Sequence, residues 1–154
     1  ARFESAGRRQ VTGVMRVLGA AMLLVISPLT AQSATPGEPA LSAAQSKAVA
    51  KSIAALKRPE ERQLASGWSN AKKVAEIICR PAALRTLKKQ IPGADRVFLG
   101  TNDPATLTLV SDKSLVGTGQ VRSGADWTQF SFACQLDPKT GKARSFTAKM
   151  TPAG

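Results

Sequence analysis

The stretch Phe130-Ser131-Phe132-Ala133-Cys134-Gln135-Leu136 decides the fold. Phe130, Phe132, Cys134 and Leu136 fall at every second position. In an extended chain alternate side chains share a face, so these four point into one core. Asp137-Pro138-Lys139-Thr140-Gly141 follows at once, with proline early and glycine late, the composition of a hairpin turn. The run from Arg144 to Met150, with Phe146 near its centre, is then an antiparallel neighbour.

Working upstream, the period-two pattern continues through Trp127 to Leu136, Leu115 to Arg122, Thr106 to Ser111 and Arg96 to Leu99. Ser123-Gly124-Ala125-Asp126 and Ser111-Asp112-Lys113 supply the turns. Before Gly93 the period becomes helical. Val74 and Ile78 lie on one side of a helix starting at Asn70, with Lys72, Glu76 and Arg80 four apart on its wet side. Pro81 kinks or restarts this helix, Leu84, Leu87 and Ile91 prolong its apolar stripe, and Pro92-Gly93 ends it. Pro59-Glu60-Glu61 opens a short second helix that Gly67 stops, and an alanine-rich amphipathic helix from Pro39 to Leu56 precedes it. The expected class is α+β: N-terminal helices packed on a four- to five-stranded antiparallel β-meander, with one disulfide.

The first residues read as a targeting signal. Val17 to Ile26 is an unbroken apolar run, preceded by Arg8, Arg9 and Arg16 and followed by small residues. This is the pattern of a secretory signal peptide over 1–33, with cleavage before Ala34 or after Ala31 and a natural start at Met15. The alternative, an uncleaved membrane anchor, requires about 20 apolar residues, more than this run supplies. Residues 34–40 then form a flexible leader, 41–67 a helical segment and 68–152 the disulfide-linked α+β domain, in the periplasm or secreted. In an oxidising compartment Cys79 and Cys134 read as a disulfide rather than two free thiols.

Composition narrows the chemistry. The chain of 154 residues has no His, which removes imidazole acid–base catalysis, Ser-His-Asp triads and His-ligated metals. Ser69-Asn70-Ala71-Lys72, Ser111-Asp112-Lys113 and Lys139-Thr140-Gly141 stand in the order of penicillin-binding-protein motifs. The third falls in a hairpin turn instead of a cleft strand, and the middle one lacks its Asn, so no catalytic site is assigned. No cofactor is expected. Gly117-Thr118-Gly119 reads as strand glycines at a bend or close approach. Trp68 reads as a hydrophobic staple ahead of the helix at Asn70, and Trp127 as a residue at the sheet's edge or on its other face.

Charge is the remaining signal. The chain carries 22 basic and 10 acidic residues; removing a signal through residue 34 takes away four bases and one acid, leaving 18 against 9. Residues 47–96 hold twelve bases and four acids, so the helical half is the basic half. Lys47, Lys51, Arg58, Lys72, Lys73, Arg80, Arg85, Lys88 and Lys89 form the candidate surface for an anionic partner, an acidic envelope component or an acidic protein. The competing reading is a solvated helix surface. No nucleic-acid partner and no transmembrane span after cleavage are expected.

Ile78-Cys79, Ala82-Ala83, Val97, Val116-Gly117, Trp127-Thr-Gln-Phe130-Ser-Phe132-Ala-Cys134 and Phe146 together resemble the small exported alphaproteobacterial proteins grouped as domain of unknown function 930. In that family a helical Cys precedes a β-meander whose W-x-x-hydrophobic-S-F-x-C strand is followed by a last strand with a central Phe. The resemblance covers roughly Trp68 to Met150 and implies a periplasmic protein; it carries no activity, cofactor or catalytic residue. The leading expectation is a non-enzymatic, envelope-associated binding protein. The alternative is an inhibitor or envelope-stress protein of lysozyme-inhibitor type.

Overall fold

The computed structural model describes residues 37–152, so the signal expected over 1–33 lies outside the described residues. The first helix begins later than Pro39, at Ala43, because Ser42 and Gln45 form a reciprocal cap. Ser42 Oγ accepts from the Gln45 N–H at 3.1 Å and Gln45 Oε1 accepts from the Ser42 N–H at 3.0 Å. This helix, α1 (Ala43–Ala54), turns Val49 inward and leaves Lys47 and Lys51 in solvent. Helix α2 (Pro59–Ser66) has Pro at its first position and Glu60 and Glu61 in its first turn, where the helix dipole favours acids.

Helix α3 (70–90) is continuous but not uniform. Asn70–Lys73 is α-helical, Val74–Cys79 winds as a π-helix, and Arg80–Gln90 is α-helical again. Pro81 has no N–H to donate, and in a regular α-helix its ring would press on the carbonyl of Ile77. The wider π turns immediately before it accommodate that missing bond and leave Cys79 fully buried. The N-terminus of α3 is closed by Ser69 Oγ, which accepts from the Lys72 N–H. It is closed also by Glu38, whose carboxylate accepts from the N–H groups of Asn70 at 2.9 Å and Ala71 at 2.6 Å. The end of the expected leader is therefore docked on α3.

Five strands follow: β1 (Ala94–Leu99), β2 (Leu107–Ser111), β3 (Ser114–Ser123), β4 (Asp126–Asp137) and β5 (Lys142–Met150). They form one antiparallel sheet in the order β1-β3-β4-β5, with β2 also on β3. Along β1 and β2 the partner on β3 falls steadily from Ser123 to Ser114. The two are thus halves of one strand from which residues 100–106 loop out, and the meander is four strands wide.

Register places Phe130, Phe132, Cys134, Leu136 and Phe146 in the core, as the alternation requires. The rings of Phe132 and Phe146 stack at 5.2 Å, and Phe130 meets both edge-on at 6.3 Å. Gly119 and Gly117 pair with Phe130 and Phe132. A Cβ at Gly119 would lie 2.5 Å from the Phe130 ring, so both glycines serve close approach. Cys79 and Cys134 form a disulfide with Cα atoms 6.1 Å apart, tying α3 to the centre of the sheet. Val49 of α1 belongs to the same core cluster, so the segments 41–67 and 68–152 are one unit.

The only buried polar side chain among the described residues is Gln45. Its amide Nε2 donates to the Asp112 carbonyl at 2.6 Å in the β2–β3 turn, while Ser42 Oγ donates to the Pro138 carbonyl at 2.7 Å in the β4–β5 turn. One helix cap thereby fastens two hairpins. No helix among the described residues is long and apolar enough to cross a membrane.

Candidate functional site

The nine helical bases do not make one face. Arg58 leans toward Glu61 at 3.8 Å, while Lys72 and Arg80 both bind Glu76, at 2.9 and 2.8 Å. These are i,i+3 and i,i+4 pairs that stabilise their own helices. Lys47 and Lys51 stand in solvent on α1, and Lys73 is half-buried on α3.

Arg85, Lys88 and Lys89 differ from the rest. They sit at i, i+3 and i+4 on α3 and therefore crowd one face. That face borders a groove of about 470 Å³ whose opposite wall is Ala143–Phe146 of β5. A second hollow of about 280 Å³ continues it past Arg85 and Ala143 to Gly141, Lys142 and Ser52 of α1. Lys142 and Arg144 thus join the three helical bases from the strand side. Sequence reasoning missed both, because it assigned the basic surface to the helices alone.

The position of Arg144 has a structural cause. Gln135 of β4 pairs with Ser145 while Leu136 pairs with Ala143, so Arg144 is the extra residue of a β-bulge. A bulge leaves one residue outside the ladder and re-aims its side chain, here onto the groove wall. Among the described residues neither hollow is lined by an acid. Arg85, Lys88, Lys89 and Lys142 have no ion-pair partner among the described residues, and Arg144 approaches Asp137 only to 4.0 Å. That carboxyl is already occupied. Backbone N–H groups of Lys139 and Thr140, with Arg144 adding to them, hold Asp137 below the usual carboxylate range.

Like charges one helical turn apart repel, and no acid among the described residues pairs with Arg85, Lys88 or Lys89 to offset them. Lys88 and Lys89 do complement the C-terminal dipole of α3. That role does not extend to Arg85 or to Arg144. Five bases converging on an acid-free groove make a site that can hold a multivalent anion.

A larger cleft of about 620 Å³ lies between the start of α3 and loop 100–106. Its charged groups are already engaged: Glu38 on the N-terminus of α3, Lys72 on Glu76, and Asp103 on the Ala105 N–H at 2.9 Å. Leu64 and Trp68 give it an apolar rim. Trp68 is not a hydrophobic staple, since the position that would meet it, fourth in the helix after Ser69, is Lys73. Its indole instead borders the crevice between α1 and α3 with Ile53, Leu56 and Ile77.

Trp127 lies on the outer face of the sheet, 42% exposed. It stacks on Phe98 at 5.4 Å, with the Arg122 guanidinium 5.8 Å from its centroid. Arg122 in turn forms a bidentate pair with Asp95 at 3.0 and 2.7 Å, and this bond keeps the Asp95 carboxyl below its ordinary value. The motif-like triplets are structural as well. Ser69 caps α3, and Lys139-Thr140-Gly141 turns from β4 into β5 against the backbone of Ala44. Compared with protein-family models, with curated proteins and with solved structures, the chain finds no match in any of the three.

Proposed function

We propose that the protein is a non-enzymatic, exported binding protein of the cell envelope that holds an anionic chain-like partner in the groove between α3 and β5. The observation that carries this reading is the convergence of Arg85, Lys88, Lys89, Lys142 and Arg144 on a hollow that no acid among the described residues lines. The groove is concave and bounded by a helix and a strand, a shape suited to a strand-like polyanion and not to a flat lipid surface. Export is supported by the apolar run Val17 to Ile26 behind its arginines and by the buried Cys79–Cys134 disulfide. The likeness to domain of unknown function 930 is in keeping with this reading.

Mapping lysine reactivity tests it. With inorganic polyphosphate as the probe, Lys88, Lys89 and Lys142 lose reactivity toward an acetylating reagent, while Lys57 and Lys113, exposed and outside the groove, keep theirs. Equal protection of all five lysines, or none, would overturn the assignment.

A further inference from the structure

The groove is built along an open sheet edge. β5 is the last strand in the order β1-β3-β4-β5, and among the described residues no strand pairs with its far side. The Thr151 N–H donates to the Gln129 carbonyl of β4 at 2.9 Å. Backbone groups alternate in direction along a strand, so the N–H and C=O of Phe146, Ala148 and Met150 point away from β4. Such an edge is a template for one more strand. The opposite edge of the sheet is a poorer one, because loop 100–106 splits it between β1 and β2.

Charge decides which strand fits. Lys142, Arg144 and Lys149 on β5 set a basic edge against any second copy of this basic chain, which guards it from self-pairing. The same charges favour an acidic segment.

Resting on the anion-binding reading above, we propose that β5 accepts an extended acidic segment of a protein partner as an added strand. Its backbone pairs with the outward groups of Phe146, Ala148 and Met150. Carboxylates at alternate positions meet Arg85, Lys89 and the bulged Arg144.

The test uses a labelled twelve-residue peptide of alternating Glu and Val, the same peptide N-methylated at alternate residues, and inorganic polyphosphate. The unmodified peptide binds and slows amide exchange at Phe146, Ala148 and Met150. N-methylation on the pairing edge weakens it at least about tenfold, as expected when β-augmentation supplies affinity through the main chain. Polyphosphate binds without slowing exchange at Ala148 and Met150, which line neither hollow. Ala148→Pro removes an outward donor and no bond to β4, and it lowers peptide affinity while leaving polyphosphate affinity unchanged. Equal binding of both peptides with no change in exchange overturns strand addition and leaves the groove reading intact. Failure of polyphosphate and peptides alike overturns the groove reading itself.

Discussion

Reducing the Cys79–Cys134 bond removes no side chain from the core, so the change in stability reports the cross-link alone. The two cysteines are 55 positions apart and both fully buried. Closing a loop of that length restricts the unfolded chain by about 14 cal/mol/K in the chain-entropy relation, or about 4 kcal/mol at room temperature. Domains of this size are stable by roughly 5–15 kcal/mol in total, so the reduced protein keeps its fold with a much smaller margin. With a urea dependence of about 1.5 kcal/mol/M, the midpoint falls by about 2.8 M. In thermal terms, an unfolding entropy near 2.1 cal/mol/K per residue over roughly 120 residues converts the loss to a Tm lower by about 15 °C. The assay is urea unfolding of oxidised and reduced protein followed by tryptophan fluorescence, with thiol titration confirming each state. Identical midpoints would refute the reasoning, because they would mean that the bond does not span segments that separate on unfolding.

Gly119→Ala places a Cβ 2.5 Å from the Phe130 ring and 2.6 Å from the Phe98 carbonyl oxygen; urea unfolding will show a loss of about 1–3 kcal/mol, as overpacking does. Gln45→Ala removes one half of the reciprocal α1 cap, leaving Ser42 Oγ on the N–H at position 45, and strands the Asp112 carbonyl; the same measurement will show a loss of about 2 kcal/mol. Asp95 and Asp137 are held below the usual carboxylate range in the fold. Their stabilisation is therefore complete above about pH 4, the unfolded value, and is lost as pH falls toward the folded values. Urea midpoints measured between pH 5 and pH 2 will drop less steeply for Asp137→Asn than for the unaltered chain. Arg85→Gln relieves repulsion by Lys88 and Lys89 on the same helix face, so at low salt its unfolding midpoint is unchanged or slightly higher.

Much of this architecture is legible in short-range pattern. The alternation at Phe130 to Leu136 puts four side chains into the core, one of them half of the disulfide, and Ser-Gly and Pro-x-x-Gly turns set the strand boundaries. Burial and turn chemistry are local properties, so a sequence displays them directly. The start of α1 escaped the periodicity because Ser42 and Gln45, not the apolar stripe, fix it. The π turns before Pro81 escaped as well, since proline announces an interruption without saying how the helix absorbs it.

The site was half legible. Arg85, Lys88 and Lys89 stand out in the sequence as close-set bases, but so do Lys72 and Arg80, which Glu76 neutralises. Net charge along a segment does not distinguish bases with partners from bases without them. Lys142 and Arg144 reach the groove only through the pairing of β4 with β5 and the bulge between them, which are long-range facts. The one sequence signal for Arg144 is the slip of a basic residue into the alternation ahead of Phe146.

The convergence of helix and strand bases on one anion site is tested most directly by reversing one charge from each wall. An exposed charge pair contributes roughly 0.2–1 kcal/mol. Arg85→Glu with Arg144→Glu removes two attractions and adds two repulsions, about 2 kcal/mol together, which is roughly a thirtyfold change in Kd. Isothermal titration with inorganic polyphosphate at about 50 mM salt should show that loss, narrowing as salt shortens the range of the charges. Lys57→Glu with Lys113→Glu changes net charge equally outside the groove and should weaken binding less than about threefold. Equal weakening by the two pairs would contradict the account, because the protein would then attract anions through its net charge and not through this groove.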